Sequence, residues 1–193
     1  PLKFLRDLEV MVAKIKPRIL VIATPDNPTS QIWPDEVLGR MCQITLEHGV
    51  WFAVDFAYRS FYFGHLPSYY KLSFLDFENL ISIHSFSKDF SLLGLRSAHI
   101  IARDDVISQL ENIEGCRNLS PVTLVQLAMT EFLRGSSSAD VVNYLEENRQ
   151  KYIKISKLMA IQVLHLLPQA KLLLPTGGFY LIMLLGSAKI LLF

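Results

Sequence analysis

Leu80-Ile-Ser-Ile-His-Ser-Phe-Ser-Lys88 decides how the rest of the chain is read. Leu80 to His84 is an apolar run rich in branched residues, which predicts a buried strand, and Ser85-Phe-Ser-Lys88 ends it in polar groups. Two earlier runs have the same form. Arg18-Ile-Leu-Val-Ile-Ala23 stops at Thr24-Pro-Asp-Asn-Pro28, and Val50-Trp-Phe-Ala-Val54 stops at Asp55. Ala98-His-Ile-Ile-Ala102 is a fourth such run. Strands this apolar are expected to be covered on both faces, as in an α/β fold with a mainly parallel sheet flanked by helices. Ligands of such sheets gather beyond the C-terminal ends of the strands. Three ends here carry polar clusters: Asp26-Asn27, Asp55-Phe-Ala-Tyr58 and Ser85-Phe-Ser-Lys88.

Helical signals separate the strands. Pro34 suits a first helical position, with Asp35 and Glu36 in the first turn favoured by the helix dipole. Val37, Met41, Ile44 and Leu46 continue the pattern to His48, and Gly49 supplies the stop. Helices are expected over 103–114 and 121–134, then a break at Gly135-Ser-Ser-Ser138. One long helix is expected over 139–166, ending before Pro168. Its apolar side carries Val142, Leu145, Tyr152, Ile155, Leu158 and Met159. Ala170 to Leu185 reads as one or two strands around Pro175-Thr-Gly-Gly178.

Composition narrows the function. The 193 residues are 51% hydrophobic and 19% charged, with 9 Gly and 9 Pro, which excludes a disordered or collagen-like chain. A formal charge of +1, dispersed along the chain, lacks the basic stripe of a nucleic-acid binder. No apolar run reaches the roughly 18 residues of a membrane-spanning helix, and a soluble protein is expected. Cys42 and Cys116 make neither a disulfide framework nor a zinc cluster, which fits a reducing, cytoplasmic setting. His48, His65, His84, His99 and His165 are scattered without metal-ligand spacing. No Walker loop or G-x-G-x-x-G is present, and the sequon at Asn118-Leu-Ser120 has no secretory signal to give it meaning. Tyr69, Tyr70 and Phe61-Tyr-Phe63 either line a pocket or pack.

The strand-end residues suggest covalent chemistry. Lys88 follows an apolar strand, and partial desolvation of an ammonium favours the free amine, a nucleophile or base. Asp55 is a partly buried carboxylate that needs a cationic or donor partner, and Tyr58 offers a hydroxyl to the same ligand. Arg96 emerges from Leu92-Leu-Gly-Leu-Arg96, where its planar fork suits phosphate oxygens.

Taken in order, Pro25-Asp-Asn-Pro-Thr-Ser30, Val54-Asp-Phe-Ala-Tyr58, Ser85-Phe-Ser-Lys-Asp-Phe-Ser-Leu-Leu-Gly-Leu-Arg96 and Pro175-Thr-Gly-Gly-Phe-Tyr180 resemble the class I/II aminotransferases of fold-type I. These use pyridoxal 5'-phosphate (PLP). The resemblance implies that Lys88 forms the Schiff base with PLP and later shuttles the substrate's α-proton. It implies that Asp55 pairs with the pyridine nitrogen and that Tyr58 and Asn27 hydrogen-bond the 3'-oxygen. Ser85, Ser87 and Arg96 would hold the phosphate. Residues 1–138 would belong to the large PLP-binding domain, 139–168 to an interdomain helix, and 169–193 to the start of the small C-terminal domain. Substrates would be an amino acid and a 2-oxo acid, and the intact parent a homodimer.

Relatives are about twice this length. A glycine-serine/threonine phosphate loop and a ring-stacking aromatic, expected before the Asn-Pro motif, do not occur here, nor does a later carboxylate-binding arginine. The chain is therefore expected to be the middle of a longer protein and a poor catalyst alone. Three other readings stand beside this one. Ser85-Phe-Ser-Lys88 fits the Ser-x-x-Lys of penicillin-recognising hydrolases, but their Ser-Asp-Asn and Lys-Thr-Gly are absent and Ser85 ends a strand instead of opening a helix. Another PLP chemistry (decarboxylase, β-lyase or synthase) shares the same residues. A non-catalytic remnant serving dimerisation is the third.

Overall fold

The computed structural model describes residues 2–67, 73, 75–118, 122–185 and 188–192. Tyr69, Tyr70 and the Leu119-Ser120 part of the sequon lie outside the described residues. Three of the apolar runs form β1 (Ile19–Ala23), β2 (Trp51–Asp55) and β3 (Leu80–Ser85), parallel and adjacent in that order. Ala23 pairs with Asp55 and Asp55 with Ile83, so the polar ends lie side by side. The fourth run, β4 (Ala98–Ile101), adds to β3 in the opposite sense, with His84 opposite His99. The sheet is mixed. Apolarity reports burial and not strand direction, so sequence alone left this unresolved.

Helices α1 (Leu2–Ile15) and α2 (Asp35–Glu47) cover one face. Leu8 and Val12 pack with Val37, Leu38, Met41, Cys42 and Ile44 against Phe52, Val54 and Leu80. The expected helix after Pro34 forms one residue later, with Pro34 as its cap. Gly49, at φ +65°, turns the chain out of α2 in a conformation costly for other residues. Helix α1 is additional to the expected elements, although Leu5, Leu8 and Val12 carry helical spacing.

Coverage of both faces does not hold throughout. β2 is buried and β3 alternates, but all four residues of β4 are exposed, as are Ile19 and Val21 of β1, at 45% and 60%. After β3 come the short helix α3 (Phe86–Asp89), a 3-10 turn (Leu93–Leu95), α4 (Asp104–Asn118) and α5 (Thr123–Gly135). The long helix α6 spans Ser138–Leu166 and opens on a capping box, in which Ser137 and Asp140 satisfy each other's backbone N–H. Beyond it, β5 (Lys171–Leu173), β6 (Leu181–Leu185) and β7 (Ala188–Leu192) form a separate antiparallel sheet. The tail after Leu185 thus adds a third strand to the one or two expected.

Gly177 joins the two sheets. An added Cβ there would lie 2.7 Å from the Phe61 carbonyl oxygen and 2.8 Å from Pro25 Cγ. Ser30, wholly buried, accepts at its carbonyl from Thr176 N–H (2.9 Å) and Gly177 N–H (3.0 Å), and at its hydroxyl from Tyr180 N–H (2.8 Å). Gly177→Ala should therefore cost about 1–3 kcal/mol of stability, because backbone and ring must both yield. Gly39→Ala in α2, where the added methyl meets open space, should gain about 0.5–1 kcal/mol. Urea unfolding of both variants checks the contrast.

Candidate active site

The site is built where β1, β2 and β3 end. Asp55 closes β2, and one of its carboxylate oxygens accepts from Ala57 N–H at 2.8 Å. That bond fixes the carboxylate at the sheet edge. Tyr58, on the turn that follows, is buried, and its hydroxyl lies 2.8 Å from that of Tyr180. Burial above all raises the Tyr58 ionisation above a phenol's ordinary value, and either hydroxyl of the pair can be the donor. Ser85 both ends β3 and caps α3, its hydroxyl accepting from Ser87 N–H at 3.2 Å. The expectation that Ser85 ends a strand instead of opening a helix is thus corrected: it does both, though the helix is a single turn.

Lys88, in α3, is half-buried. Its Nζ lies 5.4 Å from the Tyr58 ring centre and 6.0 Å from that of Phe179. A cavity of about 290 Å³ opens beside it, walled by Tyr152, Ile155 and Met159 of α6 and by Phe179 and Tyr180. Tyr152 and Phe179 stack with centres 4.2 Å apart. Lys88 is the sole charged group among the described residues lining it.

Two expected site residues stand apart. Asn27 is exposed at the turn after β1; the neighbouring Asp26 holds that turn by accepting from Thr29 N–H and hydroxyl. Arg96 is exposed in the left-handed conformation, and its guanidinium donates to the Leu93 carbonyl of its own turn at 3.2 Å. The structure therefore gathers Asp55, Tyr58, Ser85, Ser87 and Lys88 near the ends of β2 and β3, and leaves Asn27 and Arg96 facing solvent. Sequence reasoning did not assign Tyr180, Phe179 or Tyr152 to the site. Tyr180 lay within a quoted motif, but only the fold sets it opposite Tyr58.

Behind Lys88 is a cluster the sequence did not reveal. His84 and His99 stack at 4.7 Å, with Phe56 on the other side of His84 at 5.3 Å. Arg59 Nη1 lies 3.0 Å from His84 Nδ1, so a donating guanidinium requires that nitrogen to be an unprotonated acceptor. Burial, then the charge of Arg59, lowers the His84 pKa to about 4. Asp89, next to Lys88, is pushed up to about 6 by burial, opposed by a hydrogen bond from Ser60 and by Arg59. Its Oδ1 is sealed from solvent without a hydrogen-bond partner among the described residues.

These features define an α/β protein with a cavity beside a lysine that follows the C-terminal ends of parallel strands. Its sequence matches the profile of "Aminotransferase class I and II" over residues 3–192, and the chain belongs to that family. It is 30% identical over 169 residues to the aromatic-amino-acid aminotransferase 2 of Thermococcus litoralis, covering 86% of this chain and 42% of that one. The aspartate aminotransferase of Thermus thermophilus (a single mutant) superposes with a TM-score of 0.76 at 25% identity, over 86% of this chain and 42% of that one. A PLP-bound C-S lyase from Staphylococcus hominis shares the fold, with a TM-score of 0.71 at 20% identity, over 93% of this chain and 44% of that one. The chain thus spans less than half the length of these relatives. Among the described residues no helix is long and apolar enough to cross a membrane.

His84 and Asp89 give the cluster opposed pH responses. His84 binds its proton more weakly folded than unfolded, so its contribution is full above about pH 6.5 and is lost as pH falls toward 4. Asp89 binds its proton more tightly folded, so its contribution is full below about 3.8 and is lost as pH rises through 6. Denaturation midpoints between pH 4 and 7 should rise more steeply with pH in Asp89→Asn than in the parent. His84→Asn, which keeps an acceptor toward Arg59, should flatten or reverse the slope.

Proposed function

We propose that the protein is a PLP-dependent aminotransferase, moving an amino group between an amino acid and a 2-oxo acid. The observation that carries this reading is Lys88 Nζ beside a cavity, 5.4 Å from the ring centre of the buried Tyr58 and 6.0 Å from that of Phe179, with the Asp55 carboxylate fixed at the end of β2. That donor set fits PLP: an amine for its aldehyde, a carboxylate for its ring nitrogen, a hydroxyl for its 3'-oxygen. Bound PLP supplies an electron sink for the substrate's α-carbon.

The chain's own residues do the rest. Lys88 would hold the cofactor through its amine and, with that amine free, would accept and return the substrate's α-proton as a general base and acid. Asp55, held by Ala57 N–H, would pair with the ring nitrogen and keep it protonated. Tyr58 would donate to the 3'-oxygen and Ser85 and Ser87 would hold the phosphate, while Asn27 and Arg96, both facing solvent, would have to turn inward to join them at the 3'-oxygen and the phosphate. For that, Arg96 would give up the Leu93 carbonyl for the phosphate, a charged partner better suited to a fork-shaped donor. Apart from Lys88 the described cavity wall is uncharged, which favours a substrate side chain without charge.

We assign 1–138 to the large cofactor-binding domain, 139–168 to the connecting helix and 169–193 to the start of the small domain. The whole protein acts as a cytoplasmic homodimer in this reading, and the 193-residue chain alone turns over poorly. The fold shared with a C-S lyase keeps other PLP chemistry as the second reading. Added to the purified chain, PLP should produce a visible absorbance band that Lys88→Ala abolishes. A band that survives that substitution overturns the cofactor assignment. In the full-length parent, formation of a new amino acid only when a 2-oxo acid is supplied favours transamination; release of ammonia or carbon dioxide favours the second reading.

A further inference from the structure

The structure assigns Tyr180 a role in the site: it is a positioning residue that donates its phenolic proton to Tyr58 and so commits the Tyr58 proton to an acceptor held beside Lys88. The two hydroxyl oxygens are 2.8 Å apart, and the rings meet edge to face at 5.9 Å. A phenol hydroxyl has one proton and two lone pairs. Only one of the pair can donate within it. If Tyr58 gives its proton to Tyr180, it has none for a ligand; if Tyr180 donates, Tyr58 is both free to donate outward and polarised to do so.

The fold anchors Tyr180 for this task independently of its hydroxyl. Its backbone N–H is fixed on the buried Ser30 hydroxyl at 2.8 Å, and Gly178 N–H donates to the Phe61 carbonyl at 2.7 Å. Phe179, the preceding residue, stacks on Tyr152 and meets Tyr58 edge to face at 5.2 Å. The phenol is thereby delivered from the C-terminal sheet to the end of β2, a separation of 122 residues in sequence. Removing the hydroxyl alone leaves every one of these anchors in place.

The inference rests on the proposed cofactor, because the acceptor for Tyr58 is then the PLP 3'-oxygen. A donor there stabilises the unprotonated lysine-cofactor imine and lowers the pH at which its absorbance changes. Tyr180 acts on that midpoint through Tyr58, and the double variant reports any effect that bypasses it.

The experiment is a pH titration of the visible absorbance of the PLP-loaded chain for the parent, Tyr180→Phe, Tyr58→Phe and the double variant, with circular dichroism as a control on folding. Tyr180→Phe should raise the midpoint by up to about one pH unit, Tyr58→Phe by at least as much, and the double variant no further than Tyr58→Phe. An unchanged midpoint in Tyr180→Phe, or full additivity in the double variant, overturns the assignment. If the parent forms no lysine-dependent band, the cofactor reading fails, and the pair is judged in the unloaded chain. There the carbon-13 resonance of the Tyr58 ring carbon bearing the hydroxyl should move in Tyr180→Phe; an unmoved resonance overturns the pairing as well.

Discussion

The contact on which the structure turns is the approach of Gly177 to the loop after β1. A backbone with no Cβ lets Thr176, Gly177 and Tyr180 direct their N–H groups at Ser30, which is itself wholly buried. Thr176 returns the contact, its hydroxyl accepting from Ile32 N–H at 2.8 Å, and Tyr62 bridges to Gly177. Helix α6, about 44 Å long at 1.5 Å per residue, carries the chain well away before it returns to this point. Without the Ser30 clamp, nothing in the local sequence would place Phe179 and Tyr180 above the ends of β2 and β3.

That placement gives Lys88 two different surroundings. On the cavity side it faces aromatic rings, which exclude water and stabilise a cation through their faces. On the sheet side lie Arg59, His84, His99 and Asp89, with His84 buried and stacked on the exposed His99, and Arg59 acting on the ionisation of the other three. The apolar wall leaves room for a ligand, whereas the polar cluster is closed by its own contacts. A ligand would therefore fit on the first side, whereas the second packs around the end of β3, just before the turn of α3 that carries the lysine.

Much of this was legible in the sequence because burial leaves a composition signal. β1, β2 and β3 are apolar runs that end in polar residues, and the helical segment between β1 and β2 allows them to run parallel. Direction is a different matter: Ala98–Ile101 looks alike whether it runs with β3 or against it, and it runs against. Exposure was also misread, since β4 is as apolar as β3 yet lies open. For the site, motif spacing named Lys88, Asp55 and Tyr58, which the fold gathers near the strand ends. It named Arg96 and Asn27 with equal force, but side-chain direction depends on local turns, and both turns point them outward. Tyr180 and the histidine stack depend on contacts far apart in sequence, for which a single chain carries no pattern.

The central claim is that one lysine, singled out by this geometry, carries the cofactor. Borohydride reduction of the PLP-treated chain, followed by peptide mapping, tests it most directly. The account predicts a single phosphopyridoxyl group on the peptide containing Lys88. Label spread over surface lysines, or concentrated on a lysine elsewhere in the chain, would contradict it.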